Sequence, residues 1–166
     1  MRFTLLDRID DVQPGRTLRA VKNLTMAEEY LAEHFPGFPV MPGVLMLEAA
    51  AQAGTWLVRL TEDYRHSITL LHEAKAVKYG RFVTPGKQLS VVCEWAGVDG
   101  PLVTMKVRGE VDGHAAITAR LWLRRFNLAD EHPQCAGQDA RLIEGHRRMF
   151  ERLAPPALRA KLAEAA

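Results

Sequence analysis

Three stretches of the chain alternate apolar and polar residues with a period of two. Leu89, Val91, Cys93 and Trp95 alternate with Gln88, Ser90, Val92 and Glu94. Val103, Met105, Val107, Gly109 and Val111 alternate with Thr104, Lys106, Arg108 and Glu110, and Ile117, Ala119, Leu121 and Leu123 alternate with Thr118, Arg120, Trp122 and Arg124. This pattern predicts three half-buried strands. Asp99-Gly100 and Asp112-Gly113 supply hairpin turns between them, so the strands form an antiparallel meander. Upstream, residues 3–9 and 17–23 read as strands joined by a turn at Pro14-Gly15, with Leu18 and Ala20 facing inward. Residues 67–71 read as a further strand that can run on towards Tyr79, before a turn at Thr84-Pro85-Gly86. Thr25 and Glu28 have the spacing of a capping box for a short helix, with Tyr30 and Leu31 on its apolar side.

Residues 43–58 break this rhythm. Their only polar side chains are Glu48, Gln52 and Thr55, and a helix apolar nearly all round is a buried one. The helix is expected to end near Arg59 or Leu60. The run is short for a bilayer and carries a carboxylate and an amide near its middle, so it is not read as a membrane span. Pro36, Pro39 and Pro42 precede it. Each fixes φ and removes a donor, which makes a stiff loop, and Pro42 suits the first position of the helix. One apolar helix among about six strands predicts an α+β fold in which the sheet curls around the helix.

The strand pattern ends at residue 127. Residues 128–140 read as a linker. From Arg141 a helical stripe follows, made of Leu142, Ile143, Met149, Phe150 and Leu153 and flanked by Arg147, Arg148 and Arg152. Pro155-Pro156 breaks it before a short alanine-rich helix. The expected organisation is a domain over residues 1–127 with a linker and C-terminal helical extension over 128–166. The extension is read as packed on the domain or at a subunit contact, in preference to lying on a membrane or binding a carrier.

Composition narrows the class. A chain of 166 residues with 48% apolar content can bury a proper core. A formal net charge of +2 calls for no nucleic-acid partner. Two cysteines, Cys93 and Cys135, lack metal spacing and suggest free thiols in a reducing cytoplasm. The acidic Asp7, Asp10 and Asp11 interrupt any apolar leader at the N-terminus. There is no phosphate loop, nucleophile elbow or metal cluster in the sequence, so no cofactor is expected, and His72-Glu73 lacks the second histidine of a zinc site.

The candidate chemistry lies on the apolar helix and the loop before it. A buried Glu48 is costly unless paired, bonded or protonated. Gln52, one helical turn on, shares its face and can share a polar spot with it. That alone fits a structural hydrogen bond as well as a site. His34 stands fourteen residues before Glu48 at the start of the stiff loop, and a loop that turns back can bring the two together, within one chain or across a dimer. A histidine, a stiff loop, a free helix N-terminus and a buried glutamate suggest a proton-transfer site.

These residues carry a resemblance. His34-Phe-Pro-Gly-x-Pro-Val-Met-Pro-Gly-Val-Leu-x-x-Glu48-Ala-x-Ala-Gln52 resembles the signature of the β-hydroxyacyl-acyl-carrier-protein dehydratases of fatty-acid synthesis. The likeness spans roughly residues 3 to 127, including Gly15-Arg16, residues 20–25 and residues 78–89. Glu33 and Lys87 depart from the glycine and aspartate usual at those positions. The resemblance implies the hot-dog fold and dehydration of (3R)-β-hydroxyacyl thioesters, held on acyl carrier protein, to trans-2-enoyl thioesters. It also implies a homodimer with shared sites, with a trimer of dimers as a larger assembly.

Such a reaction needs a base for C2, an acid for the hydroxyl at C3 and a polariser for the thioester oxygen. His34, neutral in part near pH 7, is the candidate base. Glu48 is the candidate acid, since burial favours its protonated form. In a variant, His34 performs both transfers and Glu48 orients the hydroxyl. By the resemblance, the amide of Gly43 at the helix N-terminus polarises the thioester, the Val40 carbonyl fixes the imidazole tautomer, and Gln52 holds Glu48. His34 of one subunit would face Glu48 of the other.

Isomerising relatives carry aspartate at the Glu48 position, so dehydration without isomerisation is expected. Phe38, Met41, Met46, Tyr79 and Phe82 are candidates to line an acyl tunnel. Lys75, Lys78, Arg81 and Lys87 are candidates for a basic rim that meets the acidic carrier. Two rivals are a hot-dog thioesterase, which needs no histidine in a Pro-Gly loop, and a non-catalytic carrier-binding paralogue.

Overall fold

The structure, a computed structural model, describes residues 3–164; the reading of the N-terminus at Met1 and Arg2 lies outside these residues. The alternating stretches become strands β4 (Gln88–Asp99), β5 (Leu102–Val111) and β6 (His114–Phe126), preceded by β1 (Arg8–Gln13), β2 (Thr17–Asn23) and β3 (Ile68–Tyr79). They form one six-stranded sheet in the order β1-β2-β4-β5-β6-β3. The helices are α1 (Gly43–Thr61), α2 (Ala136–Leu153) and α3 (Pro156–Glu164).

The meander is antiparallel throughout. Its turns use the left-handed backbone that Asp-Gly pairs tolerate: Asp112, Gly113 and Gly100 all have positive φ. The inward residues Val91, Cys93, Val103, Met105, Ile117, Leu121 and Leu123 are fully buried. They pack with Ala49, Ala50, Ala53 and Leu57 of α1, so the sheet curls around the helix as expected. Gly54 makes this close approach possible, since a Cβ there would lie 3.0 Å from Leu123 Cδ1. Neither cysteine is in a disulfide, and the Cys93 thiol donates to the Ala50 carbonyl.

Four expectations need correction. The first strand begins at Arg8, not at residue 3. Residues 3–7 run beside α1 instead, where the Leu5 N–H donates to Gln52 Oε1 at 2.9 Å. The Thr25 capping box does not form. Glu28 is taken by Lys22, a residue only 6% exposed whose ammonium lies 2.5 Å away, and only a single 3-10 turn follows at Glu29–Leu31. Pro42 occupies the cap before α1, one residue earlier than the position expected of it. Residues 128–140 are not an open linker. They hold 3-10 turns at Leu128–Asp130 and Pro133–Cys135 and the start of α2. Asp139 ties this segment down, accepting from Leu128 N and Ala129 N at 2.9 Å and from the Ser67 hydroxyl.

α2 and α3 add Phe150, Leu153, Ala154 and Leu158 to the same core, and Phe150 packs its ring 6.0 Å from Trp56 of α1. No helix among the described residues is long and apolar enough to cross a membrane.

Candidate active site

Glu48 lies in the second turn of α1, half-buried. Gln52 Nε2 donates to Glu48 Oε1 at 2.8 Å and to the Phe3 carbonyl at 3.1 Å, while Gln52 Oε1 accepts from Leu5. The amide is thus fixed in one orientation, with its donor aimed at the carboxylate. Four polar residues of α1 fall at 48, 52, 55 and 59, a spacing of four, three and four that keeps them on one face. Glu48, Gln52, Thr55 and Arg59 all line one cleft of about 430 Å³. Thr69, Leu70 and Leu71 of β3 and Leu142, His146 and Met149 of α2 complete its walls.

His34 follows the 3-10 turn. Its N–H donates to the Tyr30 carbonyl at 3.1 Å, and its ring sits 4.5 Å from that of Phe35, which takes a positive φ of 51°. The imidazole is half-buried and does not line the Glu48 cleft. Among the described residues, no hydrogen bond joins His34 to Glu48 or to the buried Val40 within one chain. Gly43 opens α1. The Pro42 carbonyl accepts from Leu45 N at 2.9 Å and Met46 N at 3.2 Å, and the Gly43 amide belongs to the first turn, whose donors lack intrahelical partners. Close packing favours glycine at this point. A Cβ would sit 3.1 to 3.3 Å from ring carbons of Tyr79 on β3.

The tunnel candidates divide. Met41 and Met46 are core residues, 2% and 3% exposed. Phe38, Tyr79 and Phe82 are exposed, with Phe38 and Phe82 in an edge-to-face contact at 5.8 Å. None of the five lines the cleft beside Glu48. The rim candidates Lys75, Lys78, Arg81 and Lys87 are all exposed. Lys75 pairs with Glu73 at 3.0 Å and lies over Trp122, and Lys87 pairs with Asp112 at 2.8 Å. That lysine holds the Asp112 carboxyl below the usual carboxylate range.

The inner end of the cleft was not foreseen. There Arg59 Nη2 donates to His146 Nε2 at 3.1 Å, and the guanidinium stacks 4.9 Å from the Trp56 ring. Burial pushes the guanidinium down to about 10, which leaves it cationic at neutral pH. One signal was available, since Arg59 continues the three-and-four spacing begun by Glu48. The partner on α2, far along the chain, had none.

Comparison with known proteins agrees with this architecture. A FabA-like domain model matches residues 1–120. The chain is 37% identical over 119 residues to a 3-hydroxyacyl-acyl-carrier-protein dehydratase FabZ of Exiguobacterium sibiricum, covering 72% of this chain and 85% of the relative. It is 36% identical over 116 residues to a protein of the same description from Levilactobacillus brevis, covering 70% and 78%. Among solved structures, the dehydratase heterocomplex ApeI:P from Xenorhabdus doucetiae matches with a TM-score of 0.63 at 17% identity, over 80% of this chain and 90% of that one. A mutant thioesterase PA1618 from Pseudomonas aeruginosa matches at 0.58 and 16%, over 72% and 80%. At such identities these two carry the hot-dog fold alone.

Proposed function

The chain belongs to the FabA-like domain family, and from that membership we propose that it is a 3-hydroxyacyl-acyl-carrier-protein dehydratase, a hydro-lyase of fatty-acid biosynthesis. Its substrate is a (3R)-β-hydroxyacyl thioester on acyl carrier protein, and its product the trans-2-enoyl thioester. His34 takes the C2 proton, and Glu48 gives a proton to the departing C3 hydroxyl, which leaves as water. The Gly43 amide, with the positive end of the α1 dipole behind it, stabilises the enolate-like oxygen. The Val40 carbonyl sets the imidazole tautomer. Glutamate at position 48 favours dehydration without isomerisation.

One observation carries this reading. Gln52 holds Glu48 at the wall of a cleft that His34 of the same chain does not enter. Each half of the machinery is built, and the halves belong to different copies in a homodimer. Residues 1–127 form the dehydratase domain and 128–166 the extension that walls its cleft. Phe38, Tyr79 and Phe82 lie at the mouth where the thioester enters, with Lys75, Lys78, Arg81 and Lys87 facing the acidic carrier. The free cysteines suit the cytoplasm.

The test uses β-hydroxybutyryl and crotonyl thioesters. Reversible hydration of the crotonyl thioester is the expected result; release of free thiol would make the protein a thioesterase instead. His34→Ala and Glu48→Ala should each abolish turnover with the fold intact. Random mixing of the two should restore about a quarter of wild-type activity, because half the dimers are mixed and each carries one intact site. Full activity of either variant overturns the assignment.

A further inference from the structure

The cleft beside Glu48 does not close on apolar residues alone. From Glu48 the polar face of α1 continues through Thr55 to Arg59, three turns and about 16 Å along the axis. A chain reacting at Glu48 and extending inward therefore meets a guanidinium at its far end. Trp56, Leu142 and Met149 supply the apolar walls in between.

Arg59 has no carboxylate partner among the described residues. The acids next to it in sequence are committed elsewhere. Glu62 pairs with Arg125 at 2.6 Å and with His66 at 2.8 Å, and Asp63 pairs with Arg147 at 3.1 Å. The companions of Arg59 are an indole face, an imidazole nitrogen and the Tyr64 phenol, which burial keeps neutral near pH 7. Arginine only donates, so His146 Nε2 is the acceptor in their bond, and the ring contributes no negative charge. Arg59 Nε is buried without an acceptor, and so is the Thr69 hydroxyl, which belongs to the wall of the same cleft. A cation without a carboxylate partner and an orphaned hydroxyl thus belong to residues that line a single cavity. Buried polar groups are normally satisfied, and these two would be satisfied together by one oxyanion.

We propose that the inner end of the cleft binds the terminal carboxylate of an acyl chain, with Arg59 as its charge partner and the Thr69 hydroxyl as a second donor. The C-terminal extension makes this selection possible: α2 supplies His146, which holds the guanidinium in place, and closes the cleft so that chain length is fixed as well. The preferred substrate is then an ω-carboxy-3-hydroxyacyl thioester of medium length. This rests on the dehydratase reading, because it takes the cleft to be the acyl site.

The test compares two (3R)-3-hydroxyacyl thioesters of equal length, one ending in a carboxylate and one in a methyl group. The wild type should favour the carboxylate by at least about tenfold in kcat/KM, the scale expected when a buried cation loses its counterion. Arg59→Met should reverse that order, and Arg59→Lys should keep part of it. Equal turnover of both chains, or a preference for the methyl group, overturns the inference and leaves the dehydratase reading standing. An unchanged ratio in Arg59→Met overturns it too. Should Arg59→Met fail to fold, the wild-type ratio still decides. If neither chain is dehydrated, the dehydratase reading falls; binding of non-reactive thioether analogues, measured by calorimetry, then reads the carboxylate preference by itself.

Discussion

Gln52 shows how much one side chain can decide. Its amide makes three hydrogen bonds, to the Glu48 carboxylate and to the backbone of Phe3 and Leu5, so it joins the candidate acid to the segment that precedes β1. Gln52→Leu keeps the volume and removes all three. It is expected to cost about 1–3 kcal/mol of stability, because the amide of the buried Leu5 loses its acceptor. It should also lower kcat by about ten- to a hundredfold with KM little changed, because the carboxylate is freed to rotate. Chemical melts and steady-state kinetics check the two effects separately. Gly43 makes a second argument on the same scale. Gly43→Ala places a methyl 3.1 Å from the Tyr79 ring, so the ring or the first turn of α1 must give way. The expected loss is about tenfold in kcat/KM. In a Tyr79→Ala background the added methyl meets space, and the further loss should be much smaller. A double-mutant cycle reads the difference.

α2 is held at its first turn by an acid. Asp139 is 6% exposed. Burial alone would raise its pKa, but the Ser67 hydroxyl and the amides of Ala129 and Leu128 outweigh burial and hold it below the usual carboxylate range. The unfolded chain titrates near 3.9. The stabilisation is therefore complete above about pH 4 and is lost as pH falls through the lower folded value. Asp139→Asn should cost about 1–3 kcal/mol near neutral pH, and its deficit against the wild type should shrink as pH falls below 4. Urea melts at several pH values test this. The same element marks where sequence reading stops. β2 and the hairpins were legible because alternation and Asp-Gly turns are local facts. Residues 3–7 looked like a strand because an extended backbone that hydrogen-bonds to a side chain carries the same pattern as one that pairs with a strand. Residues 128–140 looked like a linker because the group that organises them, Asp139, reads as any polar residue until Ser67 is brought beside it. In the site, Glu48 and Gln52 were legible together, one turn apart. Arg59 and His146 were not, since they meet only once α2 has docked.

The sheet as a whole ends on β3, whose outer edge pairs with no other strand. Around that edge lie Leu70, Tyr79 and Phe82, each at least half exposed, and Val44 on the first turn of α1 is 68% exposed. An unpaired edge beside exposed apolar side chains is a surface that a second copy would cover. A folded monomer would hold a complete set of reacting side chains in two separated places, with His34 outside the cleft that contains Glu48. Activity should then depend on assembly. Specific activity is expected to fall on dilution as dimers dissociate, and to recover when the protein is concentrated again. Val44→Arg puts a charge into the surface that pairing would bury. It should yield a folded monomer in sedimentation, with native circular dichroism and at least a hundredfold less turnover at low concentration. Raising the concentration of this variant should restore activity in step with its dimer fraction. A variant that sediments as a monomer and still turns over at the wild-type rate would place His34 and Glu48 in one chain's reach, and the shared site would have to be abandoned.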